Sequence, residues 1–158
     1  DEVKLNTECL SRMQELSDAF TKKRWFRTAE FTEETLWTLY SLQQGVTSVP
    51  NQERGNGTIQ FIESFFKLKG NKDVDDVSRM YILSGNSIIE FDGTYRLSDL
   101  KDDNGVPRGI ISFNSSGSLL DKPDTRYVRS VNQYFPGTAI FIRILLNEDD
   151  IRNENKYN

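Results

Sequence analysis

The chain has 158 residues, with 20 Lys+Arg against 24 Asp+Glu, no His and one Cys. That length suits one domain with a core of its own, and the missing His and single Cys exclude His-based nucleophile pairs, imidazole bases, His metal ligands, an internal disulfide framework and Cys-rich zinc sites. A net charge of −4 argues against general nucleic-acid binding, and 11% aromatics are too many for a disordered chain.

The first expected element is an amphipathic helix over about residues 5–22. Leu5, Cys9, Met13, Leu16 and Phe20 recur every three or four residues on one face, and Glu8, Arg12, Glu15 and Asp18 take the other. Asn6 or Thr7 suits its N-cap, and Lys22, Lys23 and Arg24 suit the negative end of its dipole. Cys9 is expected to be buried on this helix, with an odd thiol available to a second chain as the alternative. Residues 25–31 read as a strand by their aromatic, alternating content. Residues 35–42 are dense in β-formers and read as a second strand. A short helix is the alternative there, because Thr32-Glu33-Glu34 also looks like a helix start. Residues 44–57 form a Gly/Pro-punctuated loop.

Residues 58–69 (TIQFIESFFKLK) favour a strand by composition, with a helix again the alternative. Asn71 to Val77 is an acidic loop. Then Met80–Leu83, Ser84-Gly85-Asn86-Ser87, Ile88–Phe91, Asp92-Gly93 and Thr94–Leu97 follow one another. Gly-Asn and Asp-Gly tolerate the positive φ of two-residue hairpins, so residues 79–98 are predicted as a three-stranded antiparallel meander. A turn at 102–109, a strand at 109–113, a turn at 114–117 and a short continuation at 118–120 come next. Residues 121–124 are a loop, and 126–132 a strand or a turn of helix. Pro136-Gly137 reads as a turn before a period-two strand at 138–146, and the polar tail 147–158 is expected to fray.

The expected fold is therefore α+β, mainly β. It is one domain over residues 1–146, a helix and then an antiparallel meander closed into a small barrel. Closure would bury one face and remove the edges. An open antiparallel sheet packed on the helix is the alternative.

Little in the sequence marks catalysis. The acidic runs Asp73, Asp75, Asp76 and Asp102, Asp103 lack the spacing of a helix–loop–helix calcium site and read as solvated turns. Glu63 and Glu90 sit among apolar neighbours in expected strands, and the simpler reading points each outward. Arg96 and Arg143 each interrupt an apolar strand, so each could enter a barrel or interface and grip a carboxylate or sulfate. Their alternative is an outward position with the stem packed flat.

The helix, then Trp25 in KKRWFRT and the run MYILSGNSIIEFDGTYRL, resemble the lipocalin-like (calycin) β-barrels, though Lys23 stands where typical lipocalins carry Gly. The helix followed by a β-rich, Cys-poor domain is also similar, more loosely, to the periplasmic partner subunits of membrane-anchored bacterial virulence regulators. Those resemblances imply a ligand set of Trp25, Tyr81, Phe91, Tyr95, Arg96, Phe141 and Arg143 around a barrel lumen. They also imply a sensing or partner-stabilising role, with virulence regulation as its setting.

No run of about 18 apolar residues is present to span a bilayer. The start Asp1-Glu2-Val3-Lys4 reads as a processed product, so the expected compartment is the periplasm or the extracellular space, with a membrane tie only through an anchor outside this chain. The expected function is a non-enzymatic exported module that needs no cofactor or metal. It would hold a small amphipathic ligand, a regulator's extracytoplasmic domain, or both, with no nucleic acid as partner. A secreted carrier of an apolar ligand and a structural protein with a filled core are the alternatives.

Overall fold

A computed structural model of the chain describes residues 11, 14, 15, 17, 18, 20, 31–43, 57–69, 77–101 and 107–146. Trp25, Cys9, the expected strand at 25–30, the acidic runs at 73–76 and 102–103 and the tail 147–158 lie outside the described residues.

The described residues between 11 and 20 are helical, within the predicted first helix. Gln14 donates to Asp18 at 3.0 Å along the exposed face. Phe20 meets Phe31 edge-on, with ring centroids 6.4 Å apart.

Two helices replace two of the predicted strands. Helix α1 spans Glu33–Ser41, and Thr32 caps it in an extended conformation, its hydroxyl accepting from the Thr35 amide at 3.2 Å. Glu33 and Glu34 sit at the positive end of the helix dipole. The β-forming content of 35–42 is outweighed by Leu36, Leu39 and Leu42, which recur at helical spacing and are buried. Thr38 turns its hydroxyl back to the Glu34 carbonyl at 2.8 Å, so this β-branched residue is satisfied inside a helix. Helix α2 spans Gly57–Lys69 and buries Ile59, Ile62, Phe65 and Lys69, a spacing of three to four residues. As a helix the segment turns Ile59, Ile62 and Phe65 to one buried face and leaves Phe61 and Leu68 exposed.

The first reversal of the predicted meander at 79–98 forms: the arms on either side of Gly85-Asn86 lie side by side, with the Tyr81 hydroxyl 3.3 Å from the Glu90 carboxylate and Arg79 3.5 Å from it. The third arm, 94–97, is not a strand. Residues Arg79–Phe91 make up β1, folded back at Gly85, which pairs antiparallel with β4, Val128–Arg143. Ten register positions run from Arg79↔Arg143 to Ile89↔Val128, with register shifts on both sides of Gly85. Gly85 takes the positive φ its turn chemistry foretold, +57°. Its Cα lies against the Glu34 carboxylate, where a Cβ would overlap it. Pro136-Gly137 lies within β4 where it rounds this reversal, just before regular pairing begins at Thr138↔Ser84. The bend after β1 does form: the Asp92 carboxylate accepts from the Thr94 amide at 2.8 Å and Gly93 has φ +96°.

Strands β2, Ser98–Lys101, and β3, Pro107–Ile110, form a second antiparallel pair around the predicted turn. The turn at 114–117 is present, with Asn114 Oδ1 accepting from the Gly117 amide at 2.9 Å. Residues 118–120 continue as a turn, not a strand.

The protein is α+β. Its described strands form two separate two-stranded sheets, β1-β4 and β2-β3, and the sheet is not closed into a barrel. A barrel needs its edge strands to pair with each other, and the described strands stay in two separate sheets. The inner face of β1 instead supplies Met80, Ile82, Ile89 and Phe91 to a solid core. Leu36 and Leu39 of α1, and Ile59, Ile62 and Phe65 of α2, complete it. Helix α1 lies across β1 and reaches β4.

Candidate functional site

The absence of a closed barrel scatters the six described residues of the expected ligand set, Trp25 lying outside the described residues. Phe91 is in the core, and Tyr95 is half-buried 5.8 Å from Phe113, which in turn contacts Phe91 at 5.2 Å. Arg96 is exposed, with its guanidinium 5.9 Å over the Phe66 ring. Tyr81 and Phe141 are cross-strand neighbours on the outer face of the β1-β4 ribbon. Arg143 is exposed at the end of β4, and its Nε donates to the Val77 carbonyl at 2.7 Å. The two arginines therefore serve the surface, and Tyr81, Phe91, Phe141 and Arg143 lie on the β1-β4 pair, with Phe91 turned into the core.

That strand pair carries an asymmetry with functional content. On its inner face Met80 and Ile82 are 0% and 2% exposed, yet their partners Ile142 and Ile140 are 42% and 43% exposed. On its outer face Phe141 is 58% exposed. Leu145 and Leu146 extend the apolar surface beyond the strand, and Tyr134 and Phe135 extend it towards the reversal. Among the described residues the core stops halfway across the ribbon: the helices cover β1 and leave the far half of β4 open. Arg143 is the one charged residue between 134 and 146. Two hydrogen bonds hold this end in place, from Arg143 to Val77 and from the Leu145 amide to Ser78 Oγ at 3.1 Å. The surface is thus apolar on both faces and fixed in position. Contiguous exposed apolar patches of this kind mark interaction sites.

Across β1 from the open half of β4 the surface is polar and internally satisfied. Glu90 accepts from Tyr81 at 3.3 Å and from Arg129 at 3.2 Å, and Arg79 lies 3.5 Å away. Glu63 lies on α2, 4.0 Å from Lys67. Under the reversal, Thr35 and Ser130 hydroxyls meet at 2.8 Å, and Ser87 donates to Thr35 at 3.0 Å. Beside them an open cleft of about 670 Å3 is lined by Thr32, Glu33, Glu34, Trp37, Thr38, Ser41 and Asn86.

A second polar corner launches β4. Asp124 takes Arg126 in a two-pronged contact, at 3.1 Å from Nε and 2.6 Å from the terminal nitrogen, and also accepts from Tyr95 at 3.1 Å. The Arg126 hydrogen bonds pull its carboxyl down from 3.8 to about 2, against the opposing effect of burial. Burial, then the neighbouring Asp124, pushes the Tyr95 phenol up. The Asp124 carbonyl accepts from the amides of Tyr127 and Val128, each at 3.0 Å, which sets the direction in which β4 leaves. The sequence offered one signal for this corner: an Asp after Pro123 whose side chain accepts from the amide two residues on, as Arg126 N does at 3.0 Å.

No family model, no curated protein and no solved structure matches the chain. The open edge of β4 is accordingly the candidate site on geometry alone.

Proposed function

We propose that the protein is a non-enzymatic interaction module that seats the open edge of β4 against an apolar strand edge of a protein partner. One observation carries this reading: Ile140 and Ile142 stand open on a strand whose partner residues on β1 are fully enclosed. A strand edge offers backbone donors and acceptors for pairing, and alternate side chains supply the fit. Binding needs no catalytic group, cofactor or metal. The periplasm or extracellular space is the proposed setting, as in the partner subunits of virulence regulators that the chain resembles. No helix among the described residues is long and apolar enough to cross a membrane.

The test is dye binding by the native chain at low concentration. An environment-sensitive apolar fluorophore should bind the folded protein, and Ile140→Asp and Phe141→Asp should each reduce the signal severalfold while circular dichroism stays unchanged. A native chain that leaves the dye dark refutes the reading. A small amphipathic ligand is the second reading, supported by the cleft beside Trp37. Bile salts or fatty acids would then raise the melting temperature, and Trp37→Ala, but not Phe141→Asp, would abolish the shift.

A further inference from the structure

The open edge is self-complementary, and we infer that its partner is a second copy of this chain, paired antiparallel through β4 about a two-fold axis at Phe141. This rests on the interaction reading above and names its occupant.

The register follows from the side chains. About an axis at Phe141, Ile142 of one copy faces Ile140 of the other. Because Met80 pairs with Ile142 and Ile82 with Ile140, the inner face becomes one apolar row: Met80, Ile142, then Ile140 and Ile82 of the second copy. On the outer face Tyr81 and Phe141 meet Phe141 and Tyr81 of the second copy, an aromatic row of the kind that stabilises cross-strand pairs. Arg143 then faces Ala139. The neighbouring registers are worse. An axis at Arg143 opposes two like charges, which destabilises a ladder. An axis at Ile140 draws Gly137, at φ +142°, into the pairing. Axes between residues fail because opposed residues would point to opposite faces.

The surface is also of the right order. A large side chain presents about 150–250 Å2. At the exposures found, Ile140, Phe141, Ile142, Leu145 and Leu146 leave on the order of 450 Å2 per copy. Two copies approach the ~1,000 Å2 that separates specific interfaces from casual contacts. The patch is nearly neutral, so the chain's net charge of −4 is not concentrated where the copies meet.

The experiment uses the full chain in three measurements. Sedimentation velocity over a concentration series should show a monomer–dimer equilibrium, and Ile142→Lys should weaken it by about tenfold or more at unchanged circular dichroism. In a Cys9→Ala background, Phe141→Cys should form a disulfide-linked dimer on mild oxidation, since self-facing residues lie about 4.5–5.5 Å apart at Cα and a disulfide needs 4.4–6.8 Å. Leu145→Cys should not, because it faces residue 137 of the other copy. Equal crosslinking at 145 overturns the register. Hydrogen exchange over 138–146 separates the remaining outcomes. Protection that grows with concentration supports the dimer. A monomer with fast exchange there overturns self-pairing and leaves the edge open to a different protein, so the interaction reading survives. A monomer with slow exchange there means the chain covers its own edge, and both fall.

Discussion

Replacing Gln43 by Leu should destabilise the protein by about 3 kcal/mol, and the reason lies in two backbone groups elsewhere in the chain. Gln43 follows α1 and is 3% exposed. Its Oε1 accepts from the Ile111 amide at 2.9 Å, and its Nε2 donates to the Ile111 carbonyl at 3.2 Å and the Leu39 carbonyl at 2.7 Å. The Leu39 carbonyl keeps a second donor, the Leu42 amide at 3.3 Å, so it is not orphaned by the change. Ile111 is fully buried, and its amide and carbonyl would lose the Gln43 side chain together. A buried backbone group stripped of its partner costs about 1–3 kcal/mol, so two give about 2–5, partly offset by the apolar gain of Leu. At 158 residues a 3 kcal/mol loss corresponds to a drop of about 6–12 °C in melting temperature. Urea denaturation with tryptophan fluorescence measures it directly. Ser64→Ala, which removes a comparable bond on the exposed face of α2, is the control and should stay within about 0.5 kcal/mol. A Gln43→Leu protein within 0.5 kcal/mol of the parent would mean that α1 is not tied to the Ile111 segment, and the seating of the helix over β1 would fall with it.

Two further outcomes follow from the same geometry. Met80→Ala should cost about 2–5 kcal/mol, while Ile142→Ala on the paired position should cost under about 1 when measured at concentrations that keep the chain monomeric; equal losses in urea melts would show that the far half of β4 is covered after all. The depressed Asp124 carboxyl contributes stability that is fully present above pH 3.8 and is lost as pH falls towards 2, an amount of about 1 kcal/mol after screening by the solvent around Arg126. Asp124→Asn should remove that part of the acid limb in a pH series of urea melts, and an acid limb identical in parent and variant would sink the assignment.

Local chemistry was legible in the sequence wherever the deciding interaction is local. Thr32-Glu33-Glu34 announces a cap and an acidic first turn, and the structure places a helix there. Gly85 and Gly93 announce positive φ, and both have it. The reversal at Gly85-Asn86 was local too, since its own flanks meet, as Tyr81 and Glu90 do at 3.3 Å. Which strand then runs along the outside of those flanks is not local, because β4 arrives from far along the chain. The helix at 57–69 is a related case. Its β-branched and aromatic residues suit either structure, and the choice falls to the face that packs against Phe91 and the core. For the site, the period-two pattern of Ile140, Ile142 and Phe141 identifies a strand but cannot say which of its faces is covered, because cover is supplied by helices remote in sequence.

The bounds of the open edge matter as much as its apolar content. Exposed strand edges are ordinarily blunted by charge, proline or bulges, since an unguarded edge pairs with any other. β4 has such devices, but only at the two ends of the run: the Pro136-Gly137 bulge before it and Arg143 after it. Between them Thr138 to Ile142 carries no charge, no proline and no bulge, and its backbone is held straight by regular pairing with β1 from Ser84 to Met80. A partner strand can therefore add only along this short stretch. Sliding one way meets the bulge, and sliding the other way meets Arg143. Guards at both ends convert a general liability for strand pairing into a single permitted register, which is what distinguishes a docking edge from a nucleus for open-ended aggregation.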